Sequence, residues 1–124
     1  MGGIAVCCHE TAKPDKLAVI WSSADKEVAR NMVFMYSKNA KKKGWWGDVC
    51  LVVWGPSGEL LGQDADLQAE LKEMLVAGVD VIACKACADN LGTTAQLEAL
   101  GVRVFYVGQE VTAMLKNGWT VLTF

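Results

Sequence analysis

DVCLVVWGPSGELLGQDADLQAELKEMLVAGVDVIA, residues 48–83, contains two apolar runs with a helical pattern between them. Asp48 to Trp54 reads as a buried strand, and Gly55-Pro56-Ser57-Gly58 breaks it. From Asp64 to Ala77, Leu67, Leu71, Met74 and Leu75 fall on one helical face, and Gly78 is placed to end the helix. Val79 to Ala83 is again a short apolar run of strand length. A strand, a helix and a second strand, both strands apolar on both faces, form the βαβ unit of a parallel sheet.

The same alternation extends outward. Lys16 to Trp21 (KLAVIW) reads as a buried strand, and Ser22-Ser23 as the turn after it. Asp25 to Lys43 reads as a helix, with Ala24 or Asp25 at its cap. Val28, Met32, Met35 and Tyr36 recur there at helical spacing, and Gly44 is its stop. Towards the C-terminus come a turn or short helix from Cys84 to Gly92, a helix from Thr94 to Leu100 and a strand from Arg103 to Val107. A helix from Val111 to Asn117 and a strand from Trp119 to Phe124 complete the pattern. The expected architecture is three-layer α/β/α, around a mostly parallel sheet of about five strands with helices on both faces. It has a flavodoxin-like appearance. Residues 1–15 show little periodicity and are expected to form an N-terminal tail. Residues 16–124 are expected to be the single domain.

Composition narrows the function. Of 124 residues, 52% are hydrophobic and 21% charged, which suits a packed core rather than a disordered chain. The formal net charge of -2 gives no basic excess for nucleic acid. Lys41-Lys42-Lys43 sits where a helix ends, where cations suit the dipole. No run approaches the roughly 18 to 20 apolar residues of a membrane span. The N-terminus lacks both a signal-peptide pattern and a myristoylation pattern, so the expected location is the cytoplasm.

Ligands of open parallel sheets sit beyond the carboxyl ends of the strands. Those ends carry Ser22-Ser23, Trp54-Gly55-Pro56-Ser57, Cys84 to Cys87, and Gly108-Gln109. Cys84-Lys85-Ala86-Cys87 stands out, because a thiol between a strand and a helix N-terminus meets unpaired N–H groups that favour the thiolate. Lys85 adds a cation nearby. Zinc would need two further ligands, which Cys7, Cys8 and His9 would supply only if the N-terminal segment folded back. Thioredoxin-like redox chemistry and purely structural cysteines are the other readings of the pair. Cys50, inside an apolar strand, reads as core. Neither a G-x-G-x-x-G nor a G-x-x-x-x-G-K-[ST] pattern occurs, and the loop after the first strand is short for a flavin phosphate. No cofactor and no metal are expected.

Three stretches resemble the DsrE/DsrF-like family, which includes sulfur-relay subunits of the TusD type and YchN-like small α/β proteins. They are KLAVIWSSADKEVARNMV from Lys16, Val53-Trp54-Gly55-Pro56-Ser57, and above all ACKACADNLG, residues 83–92. The ending Val121-Leu122-Thr123-Phe124 is similar too, and the resemblance spans residues 16–124. It implies a small α/β/α domain assembled into homotrimers or hexamers, with sulfur donor and acceptor proteins as partners. It also implies that one cysteine at the end of a central strand accepts a persulfide, and by position that cysteine resembles Cys84. Cys87 has no counterpart in the TusD-type subunits and would resolve or tune the persulfide. Ser22, Ser23, Trp54, Gly55, Ser57 and Gly108 would line or support the pocket, with Lys85 as helper. The activity would be that of a sulfur carrier or sulfurtransferase. The alternatives are a dithiol redox protein and a non-enzymatic oligomeric module that binds a small ligand or partner. Trp45, Trp46 and Met35 are candidates for burial between subunits.

Overall fold

A computed structural model describes residues 15–124. Its strands are β1 (Lys16–Trp21), β2 (Asp48–Val53), β3 (Asp80–Cys84), β4 (Arg103–Phe105) and β5 (Thr120–Thr123). They form one sheet, ordered β4-β3-β2-β1-β5, in which every pairing is parallel. The helices are α1 (Lys26–Val28), α2 (Met35–Lys42), α3 (Ser57–Gln63), α4 (Ala65–Ala77), α5 (Lys85–Leu91), α6 (Thr94–Ala99) and α7 (Gly108–Lys116). A π-helical stretch, Ala29–Phe34, joins α1 to α2.

The strand order explains the layers. From β1 to β4 the chain steps one strand at a time in a single direction, and only the crossing from β4 to β5 returns. Right-handed crossovers therefore send the first three connections to one face and the last to the other. The core divides accordingly. Leu17, Val19 and Trp21 of β1 meet the helices before β4, including Phe34, Leu71 and Leu97. Ala18, Cys50, Val52, Ile82 and Cys84 on the opposite face meet Val111 and Met114 of α7. Among the described residues a single helix covers that second face, and Ile20, Trp54 and Phe105 are only half-buried there.

Local chemistry sets the boundaries. Asp25 caps α1, its Oδ1 accepting from the N–H groups of Glu27 at 2.9 Å and Val28 at 3.1 Å. Asp64 caps α4 in the same way through Leu67, at 3.0 Å. Gly78 ends α4 at φ +101°, a left-handed conformation that a side chain disfavours.

Three expectations need correction. The first concerns residues 57–63, which form α3 although the sequence reads there only as a break. Gly58 and Gly62 hide the helical signal, since glycine is a poor helix former. Packing explains Gly62, where a Cβ would come within 3.2 Å of the Thr93 side chain. The second concerns the expected strand from Arg103 to Val107 with Gly108 at its carboxyl end: β4 stops at Phe105 and Gly108 opens α7, so the last helix begins three residues before Val111. The third concerns the long first helix. Its buried face is Ala29, Val33, Phe34, Ser37 and Ala40, while Met32 and Met35 are 49% and 52% exposed. Both stripes are apolar at near-helical spacing, and periodicity alone does not choose between them. Trp21 fixes the choice by taking Phe34 edge-on, with ring centroids 5.1 Å apart.

Candidate functional site

The topology selects one position on the sheet. A parallel sheet opens a crevice where neighbouring strands send their following connections to opposite faces. Here β3 leads into α5 on the multi-helix face, and its neighbour β4 leads into α7 on the other. Cys84 is the last residue of β3 and pairs with Phe105, the last residue of β4. The cysteine turn therefore lies at the switch point of the fold.

The two thiols differ in access. Cys84 is 7% exposed, with its side chain among the second-face core. It caps α5, and its Sγ accepts the N–H of Cys87 at 3.5 Å. Cys87, one helical turn later, is half-buried and packs against the same cluster as Trp54. It also lines a shallow groove of about 270 Å³ with Gly55, Pro56, Asn90 and Leu91. Both thiols are free. At Cys87 the surroundings act against the thiolate expected of this turn. Burial pushes its thiol up, the contact with Cys84 adds to the shift, and a hydrogen bond with the Gly55 backbone opposes it.

The other expected residues do not all gather at the cysteines. Trp54 and Gly55 come together with the cysteines, and Gly55 holds the groove wall at φ +81°. Ser22 and Ser57 instead fasten strand ends to one another. The Ser22 hydroxyl donates to the Phe124 carbonyl at 3.1 Å. The fully buried Ser57 hydroxyl lies 2.6 Å from the Trp21 carbonyl and 3.2 Å from that of Trp54. Ser23 Oγ is buried and has no hydrogen-bond partner among the described residues. Lys85 is engaged with Asp89 at 2.8 Å, and Asp89 also accepts from Thr94 at 2.5 Å. That ion pair raises the Lys85 ammonium and lowers the Asp89 carboxyl from their ordinary values. Gly108 lies in α7 and does not line the groove.

Pro56, named in the sequence only as part of a strand-end turn, lines the groove, and sequence reasoning missed Asn90 and Leu91 as groove residues. The last two lie three and four positions after Cys87, and that helical spacing would have found them. Cys50 is core, as expected, at 4% exposure, and burial pushes its thiol up to about 12. Among the described residues, no three His, Cys, Asp or Glu side chains gather as metal ligands. Cys7, Cys8 and His9 lie outside the described residues, as does nearly all of the expected tail. No helix among the described residues is long and apolar enough to cross a membrane.

A conserved protein of unknown function from Bacteroides thetaiotaomicron is 37% identical, with a TM-score of 0.86. That similarity covers 89% of this chain and 95% of that one. The YchN protein from E. coli shares the fold, with a TM-score of 0.66 at 20% identity over 88% of this chain and 98% of that one. No functionally curated protein matches. The DsrE/DsrF-like family profile matches residues 15–124, nearly the whole sequence. On that match, joined to the five-stranded parallel sheet, the chain belongs to the DsrE/DsrF-like family.

Proposed function

We propose that this protein handles sulfane sulfur on the Cys84–Cys87 pair, as a sulfur carrier or sulfurtransferase-like protein. The observation that carries this reading is two free thiols one helical turn apart, at the switch point of a DsrE-like sheet, one of them lining a groove. A persulfide needs a nucleophilic sulfur within reach of a donor, and a neighbouring thiol can pass it on or discharge it. The pair would work as thiols in a reducing compartment, which suits the cytoplasm. Donor and acceptor would be other proteins or small thiols meeting the groove. To test this, the reduced protein is incubated with glutathione persulfide, and sulfur gain and sulfide release are followed. Wild type is expected to show one or the other, and the double variant Cys84→Ser/Cys87→Ser neither. An equally active double variant would refute the proposal.

One further observation favours self-association. Met32, Met35, Trp45 and Leu122 are all more than a third exposed, and they line an apolar groove of about 370 Å³ with Tyr36 and Phe124. A contiguous apolar patch of this kind marks an interaction site. A homotrimer or hexamer would bury Met35 and Trp45 through it. Trp46 already packs on the core, its indole N–H donating to the Tyr36 hydroxyl at 3.1 Å. Sedimentation at micromolar concentration should give an oligomer that Met35→Glu weakens. A strict monomer for wild type would remove this reading.

A further inference from the structure

We infer that Cys87 is the entry thiol of the pair and that buried Cys84 acts second, discharging the bound sulfur as sulfide. The inference rests on the sulfur-handling reading above and adds the order of the two cysteines. Family resemblance places the carrier at Cys84, but access favours the other sulfur. Cys84 is 7% exposed, belongs to the same buried cluster as Cys50, Ile82 and Val107, and does not line the groove. Cys87 does line it, between Gly55-Pro56 on one side and Asn90-Leu91 on the other. Thiol–disulfide exchange needs the attacking sulfur in line with the bond it breaks, so a donor sulfur must physically reach the attacking thiolate. Among the described residues, Cys87 is the thiol that borders a groove and so meets that condition.

The steps balance. The Cys87 thiolate attacks the outer sulfur of a small persulfide, the donor's S–S bond breaks, and the donor leaves as a thiolate. Cys87 then carries –S–SH. Cys84 is one turn away, with its Sγ already touching the Cys87 N–H. As a thiolate it attacks the Cys87 Sγ and expels the outer sulfur as HS⁻, leaving a Cys84–Cys87 disulfide. The two electrons that reduce the sulfane sulfur come from the two thiols, so no further oxidant or reductant is needed in a single turnover. A dithiol reductant resets the pair. The groove suits donors that present a slender sulfur terminus, such as a low-molecular-weight persulfide or an extended cysteine persulfide.

The single variants test the order, with glutathione persulfide as donor. Wild type should release one sulfide per chain and lose two hydrogens, and peptide mapping should join Cys84 to Cys87. Cys84→Ser should keep one added sulfur, mapped to Cys87, and release no sulfide. Cys87→Ser should take up sulfur at least about tenfold more slowly, because its remaining sulfur is covered. Sulfur appearing on Cys84 in Cys87→Ser at the wild-type rate would overturn the inference while leaving the sulfur-handling proposal intact. Neither sulfur gain nor sulfide release in wild type would overturn both. Cys84→Ala serves as a second replacement, and continued protection of Cys50 from alkylation shows that each variant is folded.

Discussion

Replacing Ser57 by alanine tests how the groove wall is held. The hydroxyl is fully buried and lies between the Trp21 and Trp54 carbonyls, at 2.6 and 3.2 Å. It thereby ties the end of β1 to the turn that carries Gly55 and Pro56. The loss is limited because the Trp21 carbonyl keeps a second donor, the Trp54 N–H at 3.0 Å. Ser57→Ala therefore removes one net hydrogen bond without stranding that carbonyl, a cost of about 1 kcal/mol rather than the roughly 3 kcal/mol of an orphaned buried group. For a domain of this size that corresponds to a fall of about 5 °C in Tm. Urea unfolding followed by tryptophan fluorescence should show a lower midpoint with an unchanged slope. Alkylation of Cys87 should become faster, since the Gly55-Pro56 wall is held less firmly. An unchanged midpoint, or a loss near 3 kcal/mol, would refute the assignment of this hydroxyl as a shared tie.

Three other outcomes follow from the buried and half-buried polar groups. Ser37→Ala should raise stability by about 1 kcal/mol, since the Ser37 hydroxyl is fully buried mid-helix without a partner among the described residues; equilibrium unfolding checks this, and a loss of stability would contradict it. Cys50, raised from an ordinary 9.0 to about 12, keeps its proton in the folded state after the unfolded chain has lost it. Its contribution is intact below about pH 9 and is lost at about 1.4 kcal/mol per pH unit towards pH 12; Cys50→Val should flatten that alkaline fall in unfolding experiments. Because the Cys87 thiol is raised, its alkylation near neutral pH should be slower than that of a free thiol and should climb about tenfold per pH unit; a rate independent of pH between 7 and 9 would show a thiolate already formed.

Much of the fold was legible because strands and helices leave different periods in a chain. KLAVIW and DVCLVVW are short apolar runs bounded by turns and match strands of the sheet, whereas VDVIA matches β3 shifted by one residue, so that Cys84 ends the strand instead of opening the turn. Asp25, Asp64 and Gly78 carry cap chemistry that acts over three or four residues, so their roles were readable locally. α3 was not legible, because Gly58 and Gly62 erase the helical signal, although Gly62 is what lets Thr93 approach. Nor was the π-helical stretch, since a wider turn changes which residues align without changing composition. Of the candidate site, the cysteine turn stood out by its residue types. Ser22 and Ser57 did not reveal themselves as ties between strand ends, because the carbonyls of Phe124 and Trp21 are brought close to them only by folding.

Local pattern thus determined the alternation of elements and the position of Cys84 and Cys87 at a strand's end, because each depends on neighbours within one or two helical turns. Tertiary structure alone decided that β5 lies beside β1, and therefore that the last crossover runs back over the second face. That return makes the β3–β4 boundary a switch point and, among the described residues, leaves the second face under one helix. It also decided which sulfur is covered. Burial depends on what distant parts of the chain place nearby, and Cys84 is enclosed by β2 and by the segment that opens α7, while Cys87 borders the groove.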